Sequence, residues 1–155
     1  MLFKQAQEVV DGRKWQTRRP VKPGEKLCWV SKTSARLITT NTTSQPSGAR
    51  LSVVKFYPSG YWRLKWQVGK DYAAQPGRGK KSIGRTPPIK EIRRESLGKI
   101  SRTDVSAEGI RREPASLYSL WEVRQAFRHI WNSLYRKPYT WEDNPEVWVL
   151  EFEPI

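Results

Sequence analysis

Gly12-Arg13-Lys14-Trp15-Gln16-Thr17-Arg18-Arg19 places four cations within seven residues. It follows a short amphipathic segment. Over residues 4–11, with Phe3, the apolar side chains Phe3, Ala6, Val9 and Val10 fall on one face at helical spacing. Gly12 ends such a helix, because glycine enters the left-handed cap conformation without a Cβ clash. The cationic stretch is therefore where a helix exits into the body of the fold. Four cations there cannot all be buried without an anionic partner. Lys14 and Thr17 are close enough in sequence to be hydrogen-bonded neighbours. Crowding of Lys14 by Arg13, Arg18 and Arg19 favours a neutral amine, and a neutral amine can take the proton of a Thr hydroxyl and activate it as a nucleophile. The same residues serve equally as a basic turn that grips phosphate and performs no chemistry.

Outward from this stretch the pattern is first β and then α. Residues 27–31 (Leu-Cys-Trp-Val-Ser), 50–56 and 61–67 are strand-like, and Pro58-Ser59-Gly60 joins the last two as a hairpin turn. Residues 39–49 are polar and loop-like. Residues 70–75 read as a short strand and 76–81 as a loop. Residues 82–94 hold strand pieces interrupted by Pro87-Pro88, which implies an edge or a bulge. After Leu97-Gly98 the pattern becomes helical. Ser101 and Asp104 form a capping box, and Gly109 ends that helix. Pro114 opens a longer helix whose apolar stripe is Leu117, Leu120, Trp121, Phe127, Ile130, Trp131 and Leu134. Residues 147–152 make a strong final strand. Short strands with helices at the start and near the end define an α+β chain. The expected architecture is a small mixed β-barrel with short helices packed on it, one domain over residues 1–155.

Composition narrows the function. The chain has 155 residues, 37% apolar, with eight Trp, which supports a packed core. No apolar run after Met1-Leu2-Phe3-Lys4-Gln5 has the length of a signal peptide or a membrane span, so a cytoplasmic protein without a membrane partner is expected. The lone Cys28 forms no internal disulfide, and with a single His in the chain no zinc site assembles. Neither a metal nor another cofactor is expected. Charge is more informative: 29 Lys and Arg stand against 15 Asp and Glu, a net of +14. Residues 1–100 carry 22 basic and 6 acidic side chains, and residues 101–155 carry 7 and 9. A basic lobe favours a polyanion through steering and counterion release. The alternative is a solvated Lys- and Arg-rich face.

Gly12, Lys14, Thr17 and Arg19 form the pattern Gly-x-Lys-x-x-Thr-x-Arg. In this the chain resembles the ASCH (activating signal cointegrator homology) superfamily. Residues 72–80 (Tyr-Ala-Ala-Gln-Pro-Gly-Arg-Gly-Lys), 92–95 and 107–109 are similar to its longer bacterial and phage-type members. So is the tail around Trp131-Asn132-Ser133-Leu134-Tyr135 and residues 141–149. The resemblance covers nearly the whole chain except a family-variable insertion at about residues 32–60. It implies a PUA-like barrel with a cleft for nucleic acid, RNA ahead of DNA. One branch of the superfamily is a 4-acetylcytidine amidohydrolase, similar in its Lys-x-x-Thr pair and in a carboxylate matched here by Glu108. That similarity implies Thr17 as nucleophile, Lys14 as base and Glu108 as the group that orients or protonates the leaving amine. Other members act as ribonucleases, and others only bind RNA or DNA. Trp15 and Gln16 between Lys and Thr, and the insertion, depart from the small amidohydrolases and bear on pocket shape.

Further candidates surround this motif. Gln75, Arg78, Lys80 and Lys81 lie in a Gly-flanked basic loop in which backbone N–H groups can approach phosphate. A solvated hairpin loop is the alternative. Arg93 and Arg94 sit on a strand, where alternation turns one of them toward the cleft. With Arg13, Lys14, Trp15, Gln16, Arg18 and Arg19 these make the expected nucleic-acid surface. Among Trp15, Trp29, Tyr61, Trp62 and Trp66, one or two are expected as exposed stacking platforms, Trp15 first. Trp121, Trp131 and Trp148 are assigned to the core, His129 to solvent, and Cys28 to inert core.

Overall fold

The last strand organises the molecule, and the reason is its alternation. In the computed structural model, which describes residues 1, 3–33, 36–38, 44–111 and 117–155, the strand β9 (Glu146–Phe152) lies between β1 (Gln16–Pro20) and β8 (Ile89–Ser96), antiparallel to both. Val147 and Val149 point to one face, while Trp148, Leu150 and Phe152 point to the other. All five are at most 2% exposed. The strand is therefore buried on both sides, between two cores. One contains Phe3, Ala6, Val9, Val53, Trp66, Ile89 and Ile92. The other contains Leu97, Ile100, Val105, Val123, Phe127 and Trp131.

The helices cover these cores. Helix α1 (Ala6–Val10) supplies Ala6 and Val9 to the first. Helix α2 (Arg102–Ala107) and helix α3 (Leu120–Leu134) supply the second. Both later helices start with complete capping boxes, Ser101 with Asp104 and Ser119 with Glu122, which satisfy otherwise orphaned N–H groups. The four-stranded sheet follows the order β3 (Leu37–Ile38), β2 (Glu25–Ser31), β4 (Ala49–Phe56), β5 (Trp62–Gln67), and β6 (Ala73–Ala74) pairs with β7 (Gly84–Arg85). Buried Glu25 joins the sheets. Its carboxylate accepts from Trp148 Nε1 at 2.8 Å and from the Lys22 N–H at 3.1 Å, and pairs with Lys65.

The fold is α+β, as expected, with its ladders arranged as three open sheets. Several local readings need correction. Gln16–Pro20 is a strand rather than a turn, because it pairs residue for residue with β9. Only Ala73–Ala74 of the expected 70–75 strand forms a ladder. The strand β4 falls within the segment 32–60, and its Val53 and Val54 are fully buried. Trp121 is 69% exposed, against its assignment to the core. Cys28 is half-buried rather than core, with its thiol pushed up by burial. The expected helix opening at Pro114 and residues 39–43 of the polar stretch lie outside the described residues.

Candidate functional site

The short helix α1 brings its C-terminus beside the end of α2. Gly12 takes φ +74°, and the chain turns into β1. There the Lys14 N–H donates to Glu8 O at 2.9 Å and the Trp15 N–H to Ala107 O at 3.1 Å. The first bond ties the basic stretch back to α1, and the second holds it against the end of α2 beside Glu108. Gly109 has φ +88°, and a Cβ there would lie 2.7 Å from Glu8 Oε2 and 3.4 Å from Lys14 Cβ. The left-handed φ favours glycine at this junction, and any Cβ there would have to displace the tip of the Glu8 side chain.

Lys14, Thr17 and Glu108 line one cavity of about 550 Å³. Lys14 Nζ donates to Glu108 Oε2 at 2.9 Å and to the Glu108 carbonyl at 2.8 Å. Thr17 is 4% exposed, and its hydroxyl makes no hydrogen bond among the described residues. The cavity opens along β1, an edge strand, so side chains from both faces of the strand reach it. Its charged lining is Lys4, Lys14, Arg18, Arg19 and Arg78 against Glu108 alone. Its apolar wall includes Phe127, Trp131 and Tyr135, with the last two rings 4.3 Å apart between centroids. Arg19 lies over the Phe3 ring at 5.2 Å. The Tyr135 phenol is pushed above its ordinary value, chiefly by burial, and Glu108 adds to this while the charge and hydrogen bond of Arg19 oppose it.

Arg18 departs from the expectation of a nucleic-acid contact. Its side chain is fully buried. The guanidinium meets Glu95 at 2.7 Å, Asp104 at 3.1 Å and Glu108 at 3.3 Å, and donates to Gln16 Oε1. The anionic partners demanded by this run of cations are thus internal carboxylates. Asp104 itself is held below the ordinary carboxylate value. Burial acts to raise it, but the Ser101 N–H, the Arg18 charge, the Ser101 hydroxyl and Gln16 outweigh burial. Gln16 is 2% exposed and turned inward, so it too presents nothing to a ligand. The expected crowding of Lys14 by like charge is corrected in the same way. Arg13 pairs with Asp11 at 3.0 Å, Arg18 is neutralised by carboxylates, and the group facing Lys14 is Glu108.

The remaining candidates divide. Arg78 joins the cavity, whereas Lys80 and Lys81 are exposed beyond it, and Gln75 holds the N-terminal segment through backbone bonds with Met1 and Phe3. Arg93 faces Asp104, Glu95 and Glu151, and Arg94 lies near Glu146 and over Trp148, so neither lines the cavity. Trp15 is half-buried and outside it. Tyr61, 63% exposed, is the most open aromatic of the set that contained Trp15. His129 is exposed, as expected. The reading from sequence missed Lys4, Phe127, Trp131 and Tyr135 as cavity residues. The apolar period of α3 identifies Phe127 and Trp131 as inward-facing, but nothing local says that a cavity lies against them.

No family model, no curated protein and no solved structure matches the chain. Among the described residues no helix is long and apolar enough to cross a membrane, and no group of three or more His, Cys, Asp or Glu side chains is placed to hold a metal ion.

Proposed function

We propose that the chain is an RNA-binding protein of the ASCH superfamily, its sheets arranged as the PUA-like barrel, and that the cavity at Lys14 receives a nucleotide of single-stranded RNA. The observation that carries this reading is the cavity's lining: apart from the internally paired Arg18, it sets Lys4, Lys14, Arg19 and Arg78 against one carboxylate, Glu108, beside an aromatic wall. Cations position phosphates, and aromatic faces accept unstacked bases, so this combination suits a single strand better than a duplex. A volume of about 550 Å³ is in the range of small-ligand sites. Fluorescence anisotropy with a single-stranded RNA, repeated across salt, tests it. Binding should weaken linearly in log–log form, and Lys4→Ala and Arg78→Ala should each reduce the slope by about 0.7, one single-strand phosphate contact apiece. Absence of binding at low salt refutes the proposal. Matched RNA and DNA oligomers in competition decide between RNA and a DNA-binding accessory role, because only RNA offers the 2′-hydroxyl.

A second reading, hydrolysis of 4-acetylcytidine, is favoured by the unbonded Thr17 hydroxyl in the same cavity as the Lys14–Glu108 pair. Passage of the Lys14 proton to Glu108 leaves a neutral amine. The amine takes the Thr17 proton as Oγ forms a bond to the acetyl carbon. The bond from that carbon to N4 then breaks, with N4 protonated by Glu108, and water hydrolyses the Thr17 ester. Release of acetate by the wild type and its loss in Thr17→Ala is the expected result. Salt-sensitive RNA binding without turnover removes this second reading and leaves the first.

A further inference from the structure

The cavity continues into a second depression. Gln5, Ile110 and Ile130 line both. The second is shallower, about 790 Å³, and Arg111, Tyr118, Trp121, Gln125 and His129 bound it. Trp121, Gln125 and His129 follow one another at intervals of four on α3, which puts them in one stripe along the helix. The opposite stripe, with Val123, Phe127 and Trp131, is buried in the core. Trp121 is therefore held on a rigid helix with 69% of its surface open, beside the cationic cavity.

We infer that the ligand spans both depressions: a single-stranded RNA of at least two adjacent nucleotides, one in the cavity and its neighbour stacked on Trp121. The inference rests on the RNA-binding reading of the cavity and names its substrate class as a polynucleotide rather than a free nucleoside or nucleotide. Charge complementarity selects this occupant over an apolar peptide. Lys4, Lys14, Arg19 and Arg78 line the first depression and exposed Arg111 the second, in a chain of net charge +14. Among the described residues the Arg111 guanidinium makes one bond, from Nη2 to Arg13 O at 2.9 Å, which orients it and leaves further N–H donors to meet a phosphate. Glu122, the carboxylate lining the second depression, is engaged with the Ser119 N–H as a helix cap. Trp offers the largest stacking face of any side chain, and such stacking tolerates any base.

The test is a length series, from a mononucleotide through a tetramer to an octamer of single-stranded RNA, bound to the wild type, Trp121→Ala and Trp121→Phe at one fixed salt concentration. Affinity should rise with length in the wild type. Trp121→Ala should lose roughly 5- to 150-fold on the octamer, the effect of one lost base–aromatic stack, and Trp121→Phe should recover most of it. An octamer bound equally by the wild type and Trp121→Ala, while Lys4→Ala and Arg78→Ala still weaken it, overturns this inference and spares the RNA-binding reading. A wild type that binds no octamer overturns both. A homodimer that Trp121→Ala dissociates, with RNA affinity unmoved, assigns the face to a second copy of the chain and also overturns it.

Discussion

Replacing Glu108 by Gln removes one negative charge at the point where stability and ligand capture meet. The side chain is 5% exposed, with Oε2 2.9 Å from Lys14 and Oε1 3.3 Å from Arg18. Removing one partner of a buried ion pair costs about 3–5 kcal/mol when the other charge is stranded. Arg18 is not stranded, and Lys14, though it loses its carboxylate, is relieved by solvent, its side chain being 12% exposed. Arg18 keeps Glu95 at 2.7 Å and Asp104 at 3.1 Å, and Lys14 keeps the Glu108 carbonyl at 2.8 Å. The loss should therefore be smaller, about 2 kcal/mol, which for a chain of this size corresponds to a fall of about 4–8 °C in melting temperature. RNA binding should move the other way. The cavity loses its one carboxylate, and a unit charge about 5 Å from a phosphate contributes about 1 kcal/mol in a water-like dielectric, roughly a fourfold gain in affinity. Calorimetric melting and anisotropy titrations at matched salt measure both. An unchanged melting temperature, or weaker RNA binding, refutes the reasoning; the latter would mean that the carboxylate contacts the ligand as an acceptor.

Three other outcomes are expected. Gly109→Ala forces a Cβ into a left-handed position 2.7 Å from Glu8 Oε2, and should cost about 1–3 kcal/mol in urea unfolding. Asp104 is held below the ordinary carboxylate value in the folded state, so its stabilising effect is complete above the unfolded value of about 4 and is lost as pH falls through the lower folded one. Urea midpoints of the wild type should decline over that acid range, and Asp104→Asn should flatten the decline. Glu25→Gln, far from the cavity, should lose about 2–3 kcal/mol because Trp148, Lys65 and the Lys22 N–H all converge on that carboxylate. Its RNA affinity should match that of the wild type in the same titration.

Much of the fold was legible in the sequence. The capping box at Ser101 and Asp104, the buried stripe of Phe127 and Trp131, and the strong final strand over residues 147–152 are all present as expected. Each depends on contacts within a turn or on a simple period. The strand β1 escaped because Gln16-Thr17-Arg18-Arg19-Pro20 has no apolar period, and it becomes a strand through its partner β9. Trp121 was misread because a stripe of large apolar residues on α3 is wider than the face the core covers.

By itself, the sequence determined the α+β character and the excess of positive charge, since composition and local pattern suffice for these; the hydrogen bond it suggested between Lys14 and Thr17 does not form, because Lys14 donates to Glu108 instead. Only the tertiary structure decided which cations are spent internally. Arg18 meets Glu95 and Glu108, 77 and 90 positions away, while Arg78 joins Lys14 at a cavity formed by remote segments. The physical reason is that a buried charge needs compensation within a few ångströms, and that distance is set by chain packing rather than by position in the sequence.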